Sequence, residues 1–286
     1  MHRDLFDVTG RIYVITGGGG ALCGEMAQAL AERGARIALV DLSREAAEER
    51  AASIRGAGGT VAVYACSVLD EEALIAVAND IEREWGVPDA LINGAGGNHP
   101  SGSTTESFVT PGFAAAGAPA GATETTFYDL SIEGFERVFD LNFLGTVLPT
   151  RVFTKAMASR GSGAVVNMSS MSAITPLSKV GAYSAAKAAV ANFTSWLAVH
   201  LAPVGVRVNA LAPGFFMTEQ LRFLHIDRET GDYTPRAKAV LAHTPMARYG
   251  DPAELVGAVI WLTTDASSFV TGILLPIDGG YSSFTI

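Results

Sequence analysis

Short apolar runs alternate with longer amphipathic segments along the first third of the chain. The apolar runs, rich in Val and Ile, predict buried β-strands at residues 12–16, 36–41, 61–66 and 90–93. The segments between them have helical periodicity and predict helices at residues 26–33, 44–55 and 71–85. Fully apolar strands separated by helices are typical of a parallel sheet covered on both faces. The pattern predicts a doubly wound, Rossmann-type α/β fold.

The alternation pauses at residues 97–130, a segment rich in Gly, Ser, Thr, Pro and Ala. This segment is too long for an ordinary connection, and we expect it to form a loop on the active-site side. A linker between two domains is the alternative. Because the α/β pattern resumes directly afterwards, we predict a single domain spanning residues 1–286.

The second half of the chain predicts the remaining elements of the same domain. Helices are expected at residues 132–160, 182–202 and 252–263, and Pro149 predicts a kink in the first of them. Strands at residues 164–168, 206–211 and 273–276 bring the sheet to about seven strands. Residues 214–248 are irregular apart from a short helix near Arg236, and we expect them to act as a lid over the substrate.

Charge and hydropathy exclude several classes of partner. The formal net charge is −9 and no run of basic residues occurs, which argues against nucleic-acid binding. We find no apolar stretch long enough to span a membrane and no signal peptide. The two cysteines, Cys23 and Cys66, indicate a reducing compartment without a disulfide framework. We therefore expect a cytoplasmic protein.

A glycine run, residues 16–24, follows the first predicted strand and opens the first helix. Glycines at this junction allow a tight turn and a close approach of the backbone to a pyrophosphate at the helix N-terminus. A flexible turn is the alternative, and the absence of a Gly-Lys-Ser/Thr ending disfavours a P-loop. Asp41 ends the second strand, where a carboxylate binds both adenosine ribose hydroxyls and repels a 2′-phosphate. This position predicts NAD(H) rather than NADP(H). Asp41 is also a candidate N-cap for the next helix, as is Ser43.

Tyr183 and Lys187 are four residues apart at the start of a predicted helix, and therefore share one face. An ammonium group beside a phenol lowers its pKa, and such a tyrosine exchanges a proton with an alcohol or ketone. By itself a pair of this kind is more often part of a solvated surface. Ser170, however, lies at the end of the fifth strand, so that it meets the glycine run, Asp41 and this pair at one edge of the sheet.

The sequence resembles the short-chain dehydrogenases/reductases over almost its whole length. The matching motifs are the Thr16-Gly17 glycine loop, Asn93-Gly94-Ala95-Gly96, Leu141-Asn142-Phe143-Leu144-Gly145, Ser170, the Tyr183/Lys187 pair and Pro213-Gly214. The resemblance implies that Tyr183 is the general acid/base and that Lys187 lowers its pKa and holds the nicotinamide ribose. It also implies that Ser170 positions the substrate oxygen, that Asn142 orders a proton-relaying water, and that the assembly is a homotetramer.

The same resemblance implies an NAD(H) site. Its residues are Gly17, Gly19, Gly20, Leu22, Asp41, Ser67, Val68, Asn93, Ala95, Gly96, Tyr183, Lys187, Pro213, Gly214, Phe216 and Thr218. Four positions depart from the family pattern. Ala21 and Cys23 stand where the family usually has glycines, and Gly94 replaces the second Asn of the Asn-Asn-Ala-Gly motif. Ser67 replaces the usual Asp after the third strand.

Local features resemble the D-mannonate oxidoreductase (fructuronate reductase) branch of the family. They are Gly97-Asn98-His99-Pro100 and residues 213–220 and 242–246. A sugar acid such as D-mannonate or D-fructuronate is the substrate that this branch implies. Asn98, His99 and Ser170 are the expected substrate contacts, although His99 is equally suited to fixing its own loop. Four side chains are candidates to bind the substrate carboxylate: Lys179, Arg222, His243 and Arg248. For Lys179 and for each of the two arginines, a solvated surface position is the favoured alternative.

Other functions are less well supported. The same chemistry on another polyol or ketone, and an NAD(H)-binding sensor without turnover, both remain alternatives. Ser184 and Lys187 also fit a Ser-Lys hydrolase motif, but the companion hydrolase motifs are missing. The histidines form no His-x-x-x-His pair, so we expect no metal.

Overall fold

A parallel seven-stranded sheet lies at the centre of the molecule, in the strand order β3-β2-β1-β4-β5-β6-β7. This computed structural model describes residues 4–110, 125–218, 222–227 and 230–285. In chain order the strands are β1 (Ile12–Thr16), β2 (Arg36–Asp41), β3 (Thr60–Ala65), β4 (Ala90–Asn93), β5 (Gly163–Met168), β6 (Val206–Pro213) and β7 (Leu274–Ile277). The predicted seven-stranded Rossmann-type fold is confirmed.

Helices cover both faces of the sheet. In chain order the α-helices of the described residues are α1 (Ala21–Glu32), α2 (Arg44–Gly56), α3 (Glu71–Glu84), α4 (Ile132–Phe139), α5 (Gly145–Arg160), α6 (Gly181–Leu201), α7 (Arg222–His225), α8 (Pro235–Ala242) and α9 (Val256–Thr263). Alternate residues of β1 enter opposite cores. Tyr13 and Ile15 pack with α1, α2 and α9, whereas Ile12 and Val14 pack with α3, α5 and α6.

Local sequence explains where several helices begin. Ser43 caps α2 by accepting a hydrogen bond from the Ala46 N–H at 3.2 Å, and Asp70 caps α3 in the same way. Helix α1 begins at Ala21, five residues before the predicted start, because the Gly24 N–H already bonds to the Gly20 carbonyl. The glycine run therefore contributes its second half to the helix.

The long helix predicted at residues 132–160 is interrupted. A π-helical turn, Asp140–Leu144, joins α4 to α5, and Pro149 lies inside α5 beyond this turn. Asn142, in the middle of the turn, is fully buried. The break therefore precedes the proline, and it places the side chain of Asn142 towards the loop after β4.

The strand order reverses between β1 and β4, which are neighbours in the sheet. In open α/β sheets, ligands bind at such a switch point, outside the carboxyl ends of the strands. Here those ends are Thr16 and Asn93. Among the described residues, no helix has both the length and the apolar character needed to cross a membrane.

Candidate active site

The glycine loop after β1 packs closely on the segment after β4. Gly17 has a φ of +65°, and a Cβ atom built on it would lie 2.8 Å from the Ala95 nitrogen. Glycine is therefore required at this position both by the backbone conformation and by the available space. The Gly20 N–H donates to the Gly17 carbonyl at 3.0 Å and leads into α1, with the side chain of Leu22 partly buried behind it. The loop leaves a backbone cradle at the N-terminus of α1, which fits a pyrophosphate.

Asp41 closes one end of this cradle. Its two carboxylate oxygens accept hydrogen bonds from the Gly19 N–H at 3.0 Å and from the Ser43 N–H at 2.9 Å. Ser43 itself fills the N-cap of α2, so Asp41 does not have that role. Each carboxylate oxygen retains a lone pair for a ribose hydroxyl.

Ser67 and Val68 lie just beyond the carboxyl end of β3, on the side of the sheet where the glycine loop follows β1. The Ser67 hydroxyl accepts a hydrogen bond from the Leu69 N–H at 3.2 Å, which fixes its orientation. Val68 is buried, and a Cβ atom on Gly145 would lie 2.8 Å from its Cγ2 atom. Ser67 thus offers a hydroxyl where the family offers a carboxylate.

The end of β4 is held by side chains of its neighbours. The Asn93 amide group donates to the Thr150 hydroxyl at 2.7 Å and to the Asn167 side-chain oxygen at 2.8 Å. The Thr16 hydroxyl accepts from the N–H groups of Gly94 and Ala95. Hydrogen bonds from β4 and its following loop to the neighbouring strands β1 and β5 are therefore present, although Gly94 has no side chain.

Lys187, Tyr183 and Ser170 come together at the carboxyl edge of β5. The Lys187 ammonium group donates to the Met168 carbonyl at 2.7 Å and lies 5.6 Å from the centre of the Tyr183 ring. Burial lowers the pKa of Lys187 to about 8. The side chain of Ser170 lies close enough to Tyr183 to influence the pKa of the phenol, and its hydroxyl accepts from the Ser172 N–H at 3.1 Å.

The pKa of Tyr183 differs from the expectation. Burial raises this pKa above its ordinary value, and the side chain of Ser170 opposes the increase only in part. The lowering expected from the Tyr183/Lys187 pair is therefore not found in the protein alone. The physical reason is that both side chains are desolvated, and the ammonium group is directed to the Met168 carbonyl.

Asn142 connects the π-helical turn to the loop after β4. Its amide group donates to the carbonyls of Gly97 at 2.7 Å and Val138 at 2.8 Å, while its side-chain oxygen accepts from the Gly97 N–H at 3.0 Å. A Cβ atom on Gly96 would lie 2.7 Å from that oxygen and 3.1 Å from the Lys187 nitrogen. The main-chain carbonyl of Asn142 accepts a hydrogen bond from the Thr146 hydroxyl.

Asn98 and His99 directly follow Gly97 in the loop after β4. The Asn98 amide group donates to the Ser103 hydroxyl at 2.8 Å. His99 Nδ1 accepts from the Ser101 N–H at 3.2 Å and caps the short 3₁₀ turn Pro100–Gly102. His99 thus fixes its loop through one nitrogen, and its Nε2 atom is the one suited to a substrate contact. The predicted loop 97–130 includes residues 111–124, which lie outside the described residues.

Among the four carboxylate candidates, the structure shows the partners of Arg248 and Lys179. Arg248 forms a two-point ion pair with Glu254, both distances being 2.7 Å, and Lys179 donates to the Thr105 carbonyl. His243 packs against aromatic rings, 4.7 Å from that of Tyr281. Arg222 is exposed on α7. Arg248 and Lys179 are thus poor partners for a substrate carboxylate.

The segment after β6 packs against the end of β7 and against Gly250. The Gly214 N–H bonds to the Ile277 carbonyl at 2.9 Å next to Pro213, and Phe216 is buried against Gly250. Thr218 is also buried. Of the predicted lid at residues 214–248, residues 219–221 and 228–229 lie outside the described part of the chain.

Ser184 does not belong to the reacting cluster. It is buried, and its hydroxyl accepts from the Leu177 N–H at 3.3 Å, one helical step away from Tyr183. This geometry disfavours the Ser-Lys hydrolase alternative.

Three features of the site were not anticipated from the sequence. They are the Met168 carbonyl as the acceptor of the ammonium group, the Thr16 hydroxyl as a clamp on the β4 loop, and the contact of Cys23 with Gly94. A backbone carbonyl leaves no sequence signal. The threonine at the end of β1 and the simultaneous departures at residues 23 and 94 were the available signals.

Comparison with known proteins agrees with this geometry. A model of the short chain dehydrogenase family matches residues 11–228. The uncharacterised oxidoreductase UxuB of Bacillus subtilis is 43% identical over 287 residues, covering 100% of this chain and 98% of the relative. D-threitol dehydrogenase of Mycolicibacterium smegmatis is 32% identical over 277 residues, covering 97% of this chain and 95% of the relative.

A solved structure is similar along nearly the whole chain. It is that of a provisionally assigned D-mannonate oxidoreductase of Haemophilus influenzae with bound NAD. It superimposes with a TM-score of 0.90 at 45% identity, covering 98% of this chain and 97% of the other. The family match, these identities and the arrangement of Asp41, Ser170, Tyr183 and Lys187 lead to one conclusion. The chain belongs to the short-chain dehydrogenase family, and it is an NAD(P)-dependent oxidoreductase acting on alcohols and ketones.

Proposed function

We propose that the protein interconverts the secondary alcohol of a sugar acid and the corresponding ketone with NAD(H), with D-mannonate and D-fructuronate as the pair. The observation that carries the chemistry is the placement of Tyr183 between Ser170 and the buried ammonium group of Lys187, which lies 5.6 Å from the centre of the Tyr183 ring. A phenol held by a hydroxyl donor next to an ammonium group is suited to reversible proton transfer at a carbonyl oxygen. When bound, the nicotinamide supplies or accepts the hydride.

Four side chains carry out the proton transfer and the positioning of substrate and cofactor. Tyr183 gives its proton to the carbonyl oxygen in reduction and takes it back in oxidation. Ser170 holds that oxygen in line, since its hydroxyl is oriented by the Ser172 N–H. Lys187 stabilises the phenolate and binds the nicotinamide ribose. Asn142 fixes the loop beside Lys187 and orders the relay water.

The choice of NAD(H) over NADP(H) rests on Asp41. Its carboxylate is held at the cradle by two backbone N–H groups, at a position suited to the adenosine ribose. A 2′-phosphate there would place two anions in contact, at a high energetic cost. The Haemophilus relative with bound NAD supports this preference.

The sugar-acid substrate is supported by sequence similarity and by the polar groups beside the site. Asn98 and His99 follow the Gly96 segment, and the Nε2 atom of His99 is suited to a substrate oxygen. Lys179 and Arg248 are engaged within the protein, which disfavours both of them as partners of the substrate carboxylate. A neutral polyol is the second candidate substrate, favoured by the similarity to D-threitol dehydrogenase.

The surroundings of the site support three further parts of the proposal. Residues 214–248 act as a lid, whose base is the Phe216–Gly250 bridge. The chain forms a homotetramer, supported by the exposed side chains of Trp196 and Val199 on α6, together with Leu144. The protein works in the cytoplasm, in line with two free cysteines.

A spectrophotometric assay tests the proposal. Absorbance at 340 nm is followed with NAD⁺ and NADP⁺ against aldonic acids including D-mannonate, neutral polyols and simple secondary alcohols. We expect NADH formation with D-mannonate and little product with NADP⁺. Activity restricted to neutral polyols would replace the sugar-acid assignment. Binding of NADH without turnover of any substrate in the panel would indicate a sensor.

A further inference from the structure

The thiol group of Cys23 occupies the space beside Gly94. A Cβ atom built on Gly94 would lie 2.0 Å from the Cys23 sulfur, 2.8 Å from the Thr16 carbonyl oxygen and 3.6 Å from the Cys23 Cβ atom. The sulfur atom therefore makes the closest conflict and the Thr16 carbonyl oxygen makes a second one, whereas the two β-carbons alone would be in ordinary van der Waals contact. Cys23 is buried in the first turn of α1 and Gly94 directly follows β4. The Cys23 sulfur therefore fills the space that a side chain at residue 94 would need, and we call this space the shared volume.

This contact belongs to the junction between the glycine loop and the β4 loop. On the same surface, a Cβ atom on Gly17 would lie 2.8 Å from the Ala95 nitrogen. At the other end of residues 94–96, the space beside Gly96 is bounded by Asn142 and by the Lys187 ammonium group. Residues 94–96 are therefore packed between the pyrophosphate cradle and the catalytic amine. A change in the size of the side chain at residue 23 therefore displaces the pyrophosphate cradle relative to the Lys187 amine.

We propose that Cys23 is a positioning residue, whose sulfur replaces a side chain at residue 94 and sets the spacing between the glycine loop and residues 94–96. Through this spacing it sets the affinity for the dinucleotide. The inference rests on the proposed NAD(H) function. Both residues of this contact depart from the family pattern. Cys23 is larger than the usual glycine, Gly94 is smaller than the usual asparagine, and the Cys23 side chain fills the space beside Gly94.

The environment of Cys23 favours packing over reactivity. The thiol is free and buried, and burial raises its pKa to about 12. A protonated thiol in such surroundings is a weak nucleophile and behaves as a small apolar group.

A double-mutant cycle of Cys23→Ala and Gly94→Ala tests the shared volume. The dissociation constant of NADH is measured by fluorescence, together with kcat, the KM for NAD⁺ and Tm. We expect Gly94→Ala to weaken NADH binding by about tenfold, because the new methyl group meets the sulfur. Cys23→Ala should weaken it by about threefold through the gap it leaves. The double variant should bind NADH better than Gly94→Ala alone, because the conflict with the sulfur is removed while the one with the Thr16 carbonyl oxygen remains.

A positioning role predicts that KM for NAD⁺ changes while kcat at saturation stays within about twofold. Gly257→Ala is the matched control, since Gly257 is exposed on α9 and has no atom within 4 Å of its Cβ position. Additive losses in the double variant would refute the shared volume. Changes in Tm with unchanged NADH affinity would reduce the contact to a structural one. If Gly94→Ala does not fold, recovery of NADH-binding protein in the double variant supports the pairing. Cys23→Ala alone then decides the other outcome, since an unchanged NADH affinity in that variant refutes the positioning role. Failure of the wild-type chain to bind NADH would instead refute the proposed function.

Discussion

The ammonium group of Lys187 donates a hydrogen bond to the main-chain carbonyl of Met168, at 2.7 Å, on the last residue of β5. The sheet edge thereby fixes the amine at a buried position beside Tyr183. A carbonyl dipole compensates the buried charge only in part, so burial lowers the pKa of Lys187 to about 8.

This burial predicts a pH dependence of stability. The ordinary pKa of lysine is 10.5, so between pH 8 and 10.5 the unfolded chain binds more protons at residue 187 than the folded chain. The contribution of Lys187 to the free energy of unfolding therefore rises with pH across this window, by about 1 kcal/mol from pH 8 to 9. Above pH 9 the raised pKa of Cys23 opposes it, because the folded chain keeps the thiol proton.

Urea unfolding of the wild-type chain and of Lys187→Met at pH 8.0, 8.5 and 9.0 measures this contribution. We expect the difference in unfolding free energy between them to move in favour of the wild type as pH rises. A difference that stays constant over this window would show that Lys187 keeps its ordinary pKa in the fold.

Tyr183→Phe removes the proposed acid/base group and leaves its ring. We expect kcat to fall by about a thousandfold, because proton transfer to or from the substrate oxygen is lost. NADH affinity should change by less than about threefold, since the ring and Lys187 remain. Steady-state kinetics and NADH fluorescence measure both. Tyr64→Phe is the control, because the Tyr64 hydroxyl donates to Asp80 and takes no part in the cluster of Ser170, Tyr183 and Lys187. Equal losses in the two variants would contradict the role of Tyr183.

Asp41→Asn tests the cofactor preference. The amide has a single acceptor oxygen in place of two, so the bonds from Gly19 and Ser43 cannot both persist. We expect the dissociation constant of NADH to rise by about tenfold, and the ratio of NADPH to NADH affinity to increase because a negative charge is lost. Glu49→Gln removes an equal charge from the exposed surface of α2 and should leave both affinities unchanged. An unaltered ratio in Asp41→Asn would place the ribose elsewhere.

Arg248 and Glu254 form an ion pair, so neutralising either side chain should have the same effect on the protein. Both side chains are partly exposed, and their ion pair lies beside the base of the lid. We expect Arg248→Gln and Glu254→Gln to speed proteolysis of residues 214–248 to a similar extent, with changes of less than about threefold in the KM for the sugar acid. A much larger KM effect of Arg248→Gln than of Glu254→Gln would assign Arg248 to the substrate carboxylate.

The sheet was predictable because its strands are apolar on both faces. β1, β2 and β4 have the predicted bounds, and the other strands differ by at most two residues at either end. The meeting of Asp41, Ser170, Tyr183 and Lys187 was predictable as well, since all of them follow or lie beside the carboxyl ends of parallel strands. Periodicity and strand order carry this information in the sequence itself.

What the sequence did not predict depends on contacts between distant residues. The raised pKa of Tyr183 reflects burial, which the spacing of Tyr183 and Lys187 does not reveal. The engagement of Arg248 by Glu254 follows from the local path of the chain. The π-helical turn differs from continuous helix by one residue of phase, which apolar periodicity is too coarse to resolve.

That turn also limits how the length of the chain can change during evolution. A π-helical turn is equivalent to one residue inserted into an α-helix, so it rotates α4 relative to α5 by about 100°. With this offset, Gly134 and Val138 of α4 meet the Ser101–Gly102 turn while Thr150 of α5 faces Asn93. Deleting a single residue from Asp140–Leu144 would leave one of the two contacts out of phase. We therefore expect homologues to keep the number of residues in this turn constant, so that an alignment gap here would mark a changed active site.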